Sequence, residues 1–228
     1  MNKKNYLLDL NNSKKPFIIY KSDKGFDLYT DFSKKIILNN NNIEKFINKN
    51  NRLRFPHKET DLFIGFFGYE ILNNLIDIKI KKQKTINFPK GIFYKPETKI
   101  KLPNNLEYKK TRSLNSNDLF KININKKSYK VIFDKFKKKI KSGETYQIKI
   151  CTKYSNKSEI DALDFFSRLV KSNMAPEAFM IKDKNYSIIS CSPENLITKK
   201  NNFITTKPIA GTLKKTKKLN KNKALTFF

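Results

Sequence analysis

Cysteine, histidine and arginine are scarce in this chain, and each scarcity removes a class of protein. Cys151 and Cys191 are the two cysteines in 228 residues and form neither a C-x-x-C motif nor a framework spacing. A disulfide-stapled secreted fold is therefore excluded, and a reduced, cytoplasmic setting is expected. The single histidine, His57, lies beside Pro56 in a polar stretch and reads as a surface residue rather than a metal ligand. No apolar run approaches the length of a membrane span, and Met1-Asn2-Lys3-Lys4 leads into no signal-like apolar block, so no membrane partner is expected. Acid is missing at one end: after Glu194 the sequence contains neither Asp nor Glu.

Lysine is what the chain has in excess. The formal net charge is +29, which raises the possibility of a nucleic-acid partner, because basic side chains neutralise phosphates and release counterions. Of the 49 basic residues, however, only Arg52, Arg54, Arg112 and Arg168 are arginine, the side chain that grips phosphate and guanine bidentately. The lysines are also spread along the whole chain, and Asn, Ile and Phe are inflated with them. Those residues share A/T-rich codons, so coding bias accounts for the charge without a partner. Runs such as Lys137-Lys138-Lys139 then read as solvated faces, and nucleic acid is the disfavoured partner. Hydrophobic residues make up 38% of the chain, enough for a core and too many for a disordered segment.

Residues 1–60 are rich in Asn and Lys, with Phe17-Ile18-Ile19-Tyr20 and Ile36-Ile37-Leu38 expected as strands. In Asp61-Leu-Phe-Ile-Gly-Phe-Phe-Gly-Tyr-Glu70 the glycines three apart predict a strand turning closely into a helix, with backbone packed against backbone. A helix over 71–80, a loop and strand over 88–93, and a polar connecting segment over 101–127 follow. From Ser128 the pattern sharpens. Tyr129, Ile132, Phe133, Phe136 and Ile140 share one helical face, with Ser128 as the expected cap and Gly143 at the C-terminal end. Tyr146, Ile148, Ile150 and Thr152 alternate with Gln147, Lys149 and Cys151, the period of a half-buried strand. Ser158-Glu-Ile-Asp161 predicts a capping box for a second helix with Leu163, Phe166 and Leu169 inward. Two hairpins are expected next, 178–181 with 186–191 and 195–198 with 203–206. Helix, strand, helix and successive hairpins predict an α+β fold, antiparallel sheets with flanking helices.

The last hairpin runs into Thr205-Thr-Lys-Pro-Ile-Ala-Gly-Thr212, a loop with the parts of an anion pocket. Pro208 sets one φ angle, Gly211 lets backbone N–H groups approach a ligand, and Thr212 adds a hydroxyl. Lys207 could raise the local positive potential.

Gly143-Glu-Thr-Tyr-Gln147, then Ser192-Pro-Glu194, then Pro208-Ile-Ala-Gly-Thr212 resemble, in order and spacing, the chorismate-utilising enzymes. That family includes anthranilate synthase component I, aminodeoxychorismate synthase component I, and the isochorismate and salicylate synthases. The resemblance, closest to anthranilate synthase component I, implies a partial α/β sandwich of that type. It assigns 1–120 to the N-terminal region and 121–228 to the first part of the chorismate-binding catalytic domain. It implies chorismate as substrate, Mg2+ as cofactor, and a glutamine amidotransferase as the partner that releases ammonia. Gly211 and Thr212 are implied to hold a substrate carboxylate. For Glu194 two readings stand: a residue of the active site, or a buried, paired residue in a strand-ending turn.

Two positions speak to the reaction. Members that add water have a lysine where this chain has Gln147, and a neutral amide cannot take the proton from water, so Gln147 implies the ammonia branch. Ala210 stands where many aminodeoxychorismate synthases have a nucleophilic lysine, which implies anthranilate synthase: direct amination and loss of pyruvate. Tyr186-Ser-Ile-Ile-Ser-Cys-Ser-Pro-Glu194 reads somewhat like the aminodeoxychorismate cousin, which remains the alternative. The family's magnesium-binding glutamates and base lie in a later half that this sequence does not contain, so the resemblance implies an enzyme truncated or split, inactive alone. A basic binding protein on a borrowed scaffold is the alternative of another class. Leu7-Leu8-Asp9-Leu10 and Asn173-Met-Ala-Pro176-Glu-Ala178 only loosely resemble the family's tryptophan site, Glu177 standing where an aromatic is expected.

Overall fold

The computed structural model describes residues 3–22, 25–50, 59–76, 88–106, 108, 120–200, 202–209, 213–214, 216, 220, 222 and 225–226. The strands are β1 (Phe17–Ser22), β2 (Gly25–Ile37), β3 (Ile64–Phe67), β4 (Gly91–Leu102), β5 (Lys121–Ile122), β6 (Tyr154–Ser155), β7 (Glu177–Lys182), β8 (Ser187–Ser192), β9 (Asn195–Lys200) and β10 (Phe203–Lys207). The α-helices are α1 (Lys3–Asn12), α2 (Ile43–Asn50), α3 (Leu72–Leu75), α4 (Lys126–Lys141) and α5 (Ala162–Asn173), and a 3₁₀ turn covers Tyr69–Ile71. The architecture is α+β with antiparallel pairing throughout, as the pattern of elements predicts. The chain divides into two compact units, one formed by Met1–Tyr108 with Phe165–Phe228 and the other by Lys109–Asp164.

The larger unit is built on a six-stranded sheet in the order β3-β4-β2-β1-β7-β8. Register partners point to the same face, so Ile18, paired with Tyr29 and Ile181, faces one side, while Ile19, paired with Leu28 and Met180, faces the other. Both sides are buried. Ile18, Tyr29, Ile92, Tyr94 and Ile181 form one cluster, and Ile19, Leu28 and Met180 are fully buried on the opposite side with Phe17. That is why Phe17-Ile18-Ile19 reads as a continuous apolar run rather than an alternating one. A third cluster of Leu38, Ile43, Ile71 and Phe93 closes one end of the sheet.

The Gly65 expectation is met closely. A Cβ at Gly65 would stand 1.9 Å from the Ile92 carbonyl oxygen, so β3 can lie against β4 only because the side chain is missing. β2 is 13 residues long and bends where its register shifts between Phe32 and Lys34, opposite Pro96, which has no N–H to donate there. Asp31 takes a left-handed φ of 52° next to this bend, a conformation that aspartate tolerates.

In the smaller unit β5 pairs with β6, and α4 carries the expected apolar face. Its cap differs from the expectation: the Asn125 side chain, not that of Ser128, accepts from the Ser128 N–H at 2.8 Å. Asn at that place is a better acceptor for the first turn than the hydroxyl three residues later. The C-terminal end is as expected. Gly143 has φ 77°, its N–H donates to Ile140, and the Glu144 N–H reaches back to Lys139, the paired bonds of a Schellman turn.

Four further expectations are corrected. Residues 146–152 do not form a strand; alternation supplies a face, but a strand also needs a neighbour to bond, and among the described residues none pairs with this stretch. α5 begins at Asp161, whose Oδ1 accepts from the N–H groups of Leu163 and Asp164, while Ser158 is folded onto Asn156. The helix expected over 71–80 is reduced to the 3₁₀ turn and α3, with 77–80 outside the described residues. The polar segment over 101–127 holds the end of β4, β5 and the start of α4.

Candidate functional site

The turn Ser192-Pro193-Glu194 separates β8 from β9, and its geometry follows from local hydrogen bonding. Ser192 Oγ donates to the Glu194 carbonyl at 2.8 Å and accepts from the Glu194 N–H at 3.2 Å, closing a tight corner. Pro193 presets one φ angle within it. The Glu194 side chain is exposed, which corrects the buried reading while retaining the strand-ending turn. Its Oε1 accepts from the Ile209 N–H at 3.3 Å, so the first and last of the loop-forming motifs in this unit touch directly.

β9 and β10 carry that contact. Lys207 pairs with Asn195, and the register shifts between Thr205 and Lys207, so the ladder changes step just before Pro208. An irregularity at this point re-aims the chain that leaves the ribbon. Ala210, Gly211 and Thr212, expected to form the anion cradle, lie outside the described residues, as does His57. Gln147 belongs to the smaller unit and Glu194 to the larger one. Gln147 is exposed on irregular backbone, where Thr145 Oγ1 donates to its carbonyl at 3.2 Å.

A cluster that the sequence does not reveal lies on the larger sheet. Lys35 Nζ stands 2.5 Å from Asp183 Oδ2, and the hydroxyls of Tyr94 and Tyr186 both donate to the same carboxylate oxygen. Lys184 N–H donates to Asp183 Oδ1 at 2.6 Å. Burial would push the Asp183 carboxyl up, but the bonds from Lys35, Tyr94, the Lys184 N–H and Tyr186 outweigh it and bring the group down to about 2. The same burial, with the bond to the Asp183 carboxylate, holds the Tyr94 phenol far above its ordinary value. Tyr186 is pushed up to about 12, chiefly by burial and by the Asp183 charge. Such groups keep their protonation states across neutral pH, so the cluster holds β2, β4 and the β7–β8 turn together and exchanges no proton.

Among the described residues no three His, Cys, Asp or Glu side chains come together as a metal centre. One Glu194 carboxylate oxygen is already engaged by an N–H group. These described donors do not fit the magnesium ion that the family resemblance implies. Among the described residues, no helix is long and apolar enough to cross a membrane.

The chain matches the chorismate binding enzyme family over residues 3–226. It is similar to an anthranilate synthase component I-like protein of Synechocystis sp., 23% identical over 188 residues, which is 72% of this chain and 39% of that protein. Anthranilate synthase component 1 of Buchnera aphidicola subsp. Pemphigus spyrothecae is 29% identical over 190 residues, 82% of this chain and 34% of the relative. Aminodeoxychorismate synthase component 1 of Salmonella typhimurium is 36% identical over a shorter stretch of 72 residues, 32% of this chain and 16% of that protein. The chain thus spans well under two thirds of the length of each of these relatives.

Proposed function

We propose, because this chain belongs to the chorismate binding enzyme family, that it supplies part of an anthranilate synthase component I: amination of chorismate by ammonia with loss of pyruvate. The observation that carries the choice of branch is Gln147. A side-chain amide has no basic lone pair at neutral pH, so it can orient a nucleophile by hydrogen bonding but cannot deprotonate water. Ammonia needs no such base, because its own lone pair attacks the ring. Ala210 offers no amine to compete as a nucleophile, which favours direct amination.

In this reading the loop after β10 binds and orients. The Gly211 N–H and the Thr212 hydroxyl donate to a substrate carboxylate, and Glu194, through the Ile209 N–H, holds the base of that loop. A glutamine amidotransferase subunit is the proposed source of ammonia, and Mg2+ the ion that the complete enzyme employs.

The aminodeoxychorismate branch is the second reading, favoured by the identity to the Salmonella relative and by 29% identity over 92 residues to the Bacillus subtilis aminodeoxychorismate synthase component 1. One assay separates the two. Chorismate, magnesium and ammonium are incubated with this chain, alone and together with any polypeptide encoded directly downstream. Anthranilate, followed by its fluorescence, supports the first reading, and aminodeoxychorismate supports the second. A chain that binds no chorismate and instead binds nucleic acid with a steep salt dependence overturns both.

A further inference from the structure

The carboxylate of Glu177 is a junction between strands of two different sheets. Tyr20, half-exposed on β1, donates its hydroxyl to Glu177 Oε2 at 2.7 Å. The Asn195 side-chain amide donates to Glu177 Oε1 at 2.8 Å. The Asn195 carbonyl oxygen in turn accepts from Thr198 Oγ1 at 3.0 Å, so this amide is gripped at both ends and its orientation is fixed. Asn195 is the first residue of β9, follows Glu194 directly, and is the register partner of Lys207.

The corner at Lys207-Pro208-Ile209 needs such support. Among the described residues β9 and β10 form a separate two-stranded ribbon whose side chains are almost all exposed. A ribbon of two strands is marginal by itself, and the register shift before Lys207 loosens its ladder where the corner begins. The bond from Ile209 N–H to Glu194, at 3.3 Å and exposed, is weak alone. Glu177 brings in the six-stranded sheet, whose central strands are buried on both faces and do not share the ribbon's looseness. The two carboxylate oxygens of Glu177 take one donor each, Oε2 from Tyr20 and Oε1 from Asn195.

We propose that Glu177 is a positioning residue: through Asn195 it fixes where β9 starts, and thereby where Glu194 and the Lys207-Pro208-Ile209 corner stand. The functional importance of that corner rests on the chorismate-site reading; the positioning itself does not.

Amide hydrogen exchange on the 15N-labelled full chain tests it. Glu177→Ala speeds exchange of the Ile209 N–H about ten-fold while Ile19 and Met180, in the central strands, keep their wild-type rates. Glu177→Gln, which offers a carbonyl to Asn195 and an N–H to the Tyr20 oxygen, keeps Ile209 near its wild-type rate. Should Glu177→Ala fail to fold, Asn195→Asp sets a second carboxylate against Glu177 at the surface and is expected to free Ile209 to a similar degree. An unchanged Ile209 in these variants overturns the proposal, and so does a parallel rise at Ile209, Ile19 and Met180, which marks global loosening. Chorismate titrated into the wild-type chain tests the other reading separately. An Ile209 resonance that does not move with chorismate removes the substrate site and leaves the exchange result to decide the positioning role.

Discussion

Tyr94 donates its phenolic hydrogen to the carboxylate of Asp183, a residue 89 positions further along the chain. The contact is possible because Tyr94 lies opposite Lys35 in the β2–β4 ladder, and β1 and β7 bring Asp183 to the same side of the sheet. Three donors from three places converge on one buried carboxylate oxygen, which is a structural anchor with a defined titration behaviour.

Stability is therefore expected to fall at both ends of the pH scale. Asp183 has its folded value lowered from 3.8 to about 2, so its contribution is present above 3.8 and is lost as pH falls toward 2. Tyr186 has its folded value raised from 10.0 to about 12, so its contribution is present below 10 and is lost as pH rises toward 12. Asp183→Asn removes the acid limb and lowers stability by about 2 kcal/mol at neutral pH, a modest figure because Lys35 is partly solvated. Urea unfolding followed by circular dichroism at pH 3, 7 and 11 checks both limbs; a variant with the wild-type acid limb would contradict the assignment.

Gly65→Ala places a methyl group 1.9 Å from the Ile92 carbonyl, backbone that cannot swing aside as a side chain can. The expected cost is about 3 kcal/mol, since β3 must separate from β4. The urea midpoint measures it. A loss below 1 kcal/mol would mean that β3 is not held against β4 as described.

Helix α4 depends on its two ends, because none of its side chains is buried. Asn125→Ala removes the acceptor for the Ser128 N–H and is expected to cost about 1 kcal/mol. Gly143→Ala meets no neighbour within 4 Å among the described residues, so its cost of about 1 kcal/mol comes from the left-handed φ of 77°. Amide exchange localised to 126–141 reports both, and the two losses add.

The binding reading makes its own demand. Thr212→Val, isosteric but without the hydroxyl, is expected to weaken chorismate binding about ten-fold by titration calorimetry. Gln147→Lys is expected to lower ammonia-dependent product formation by about 100-fold in the reconstituted enzyme while leaving chorismate affinity nearly unchanged. Equal turnover for Gln147→Lys would detach that residue from the chemistry.

Legibility followed range in the chain. α4, α5 and both late hairpins could be read because their signals are local: the 3.6 period of Tyr129 to Ile140, the apolar face of Leu163 and Phe166, the polar turns at 182–186 and 199–202. Their caps lie three residues from the expected ones: the Asn125 side chain accepts from the Ser128 N–H and Asp161 from the Leu163 and Asp164 N–H groups, because only backbone geometry decides where each helix begins. The motif at Ser192-Pro-Glu194 was visible, and so was the loop after Lys207, but their contact through Ile209 was not.

The order of residue types alone determined α4, α5, the two late hairpins and the antiparallel α+β class, and which motifs resemble those of enzymes acting on chorismate. Those are properties of neighbours within a few residues, or of side-chain identity. Tertiary structure decided that β1 sits between β2 and β7, that residues 146–152 stay irregular, and that Asp183 and Glu177 each gather donors from distant strands. Pairing and burial decided these, because a backbone N–H or a carboxylate is satisfied by whatever the fold brings within 3 Å, and sequence order does not encode that distance.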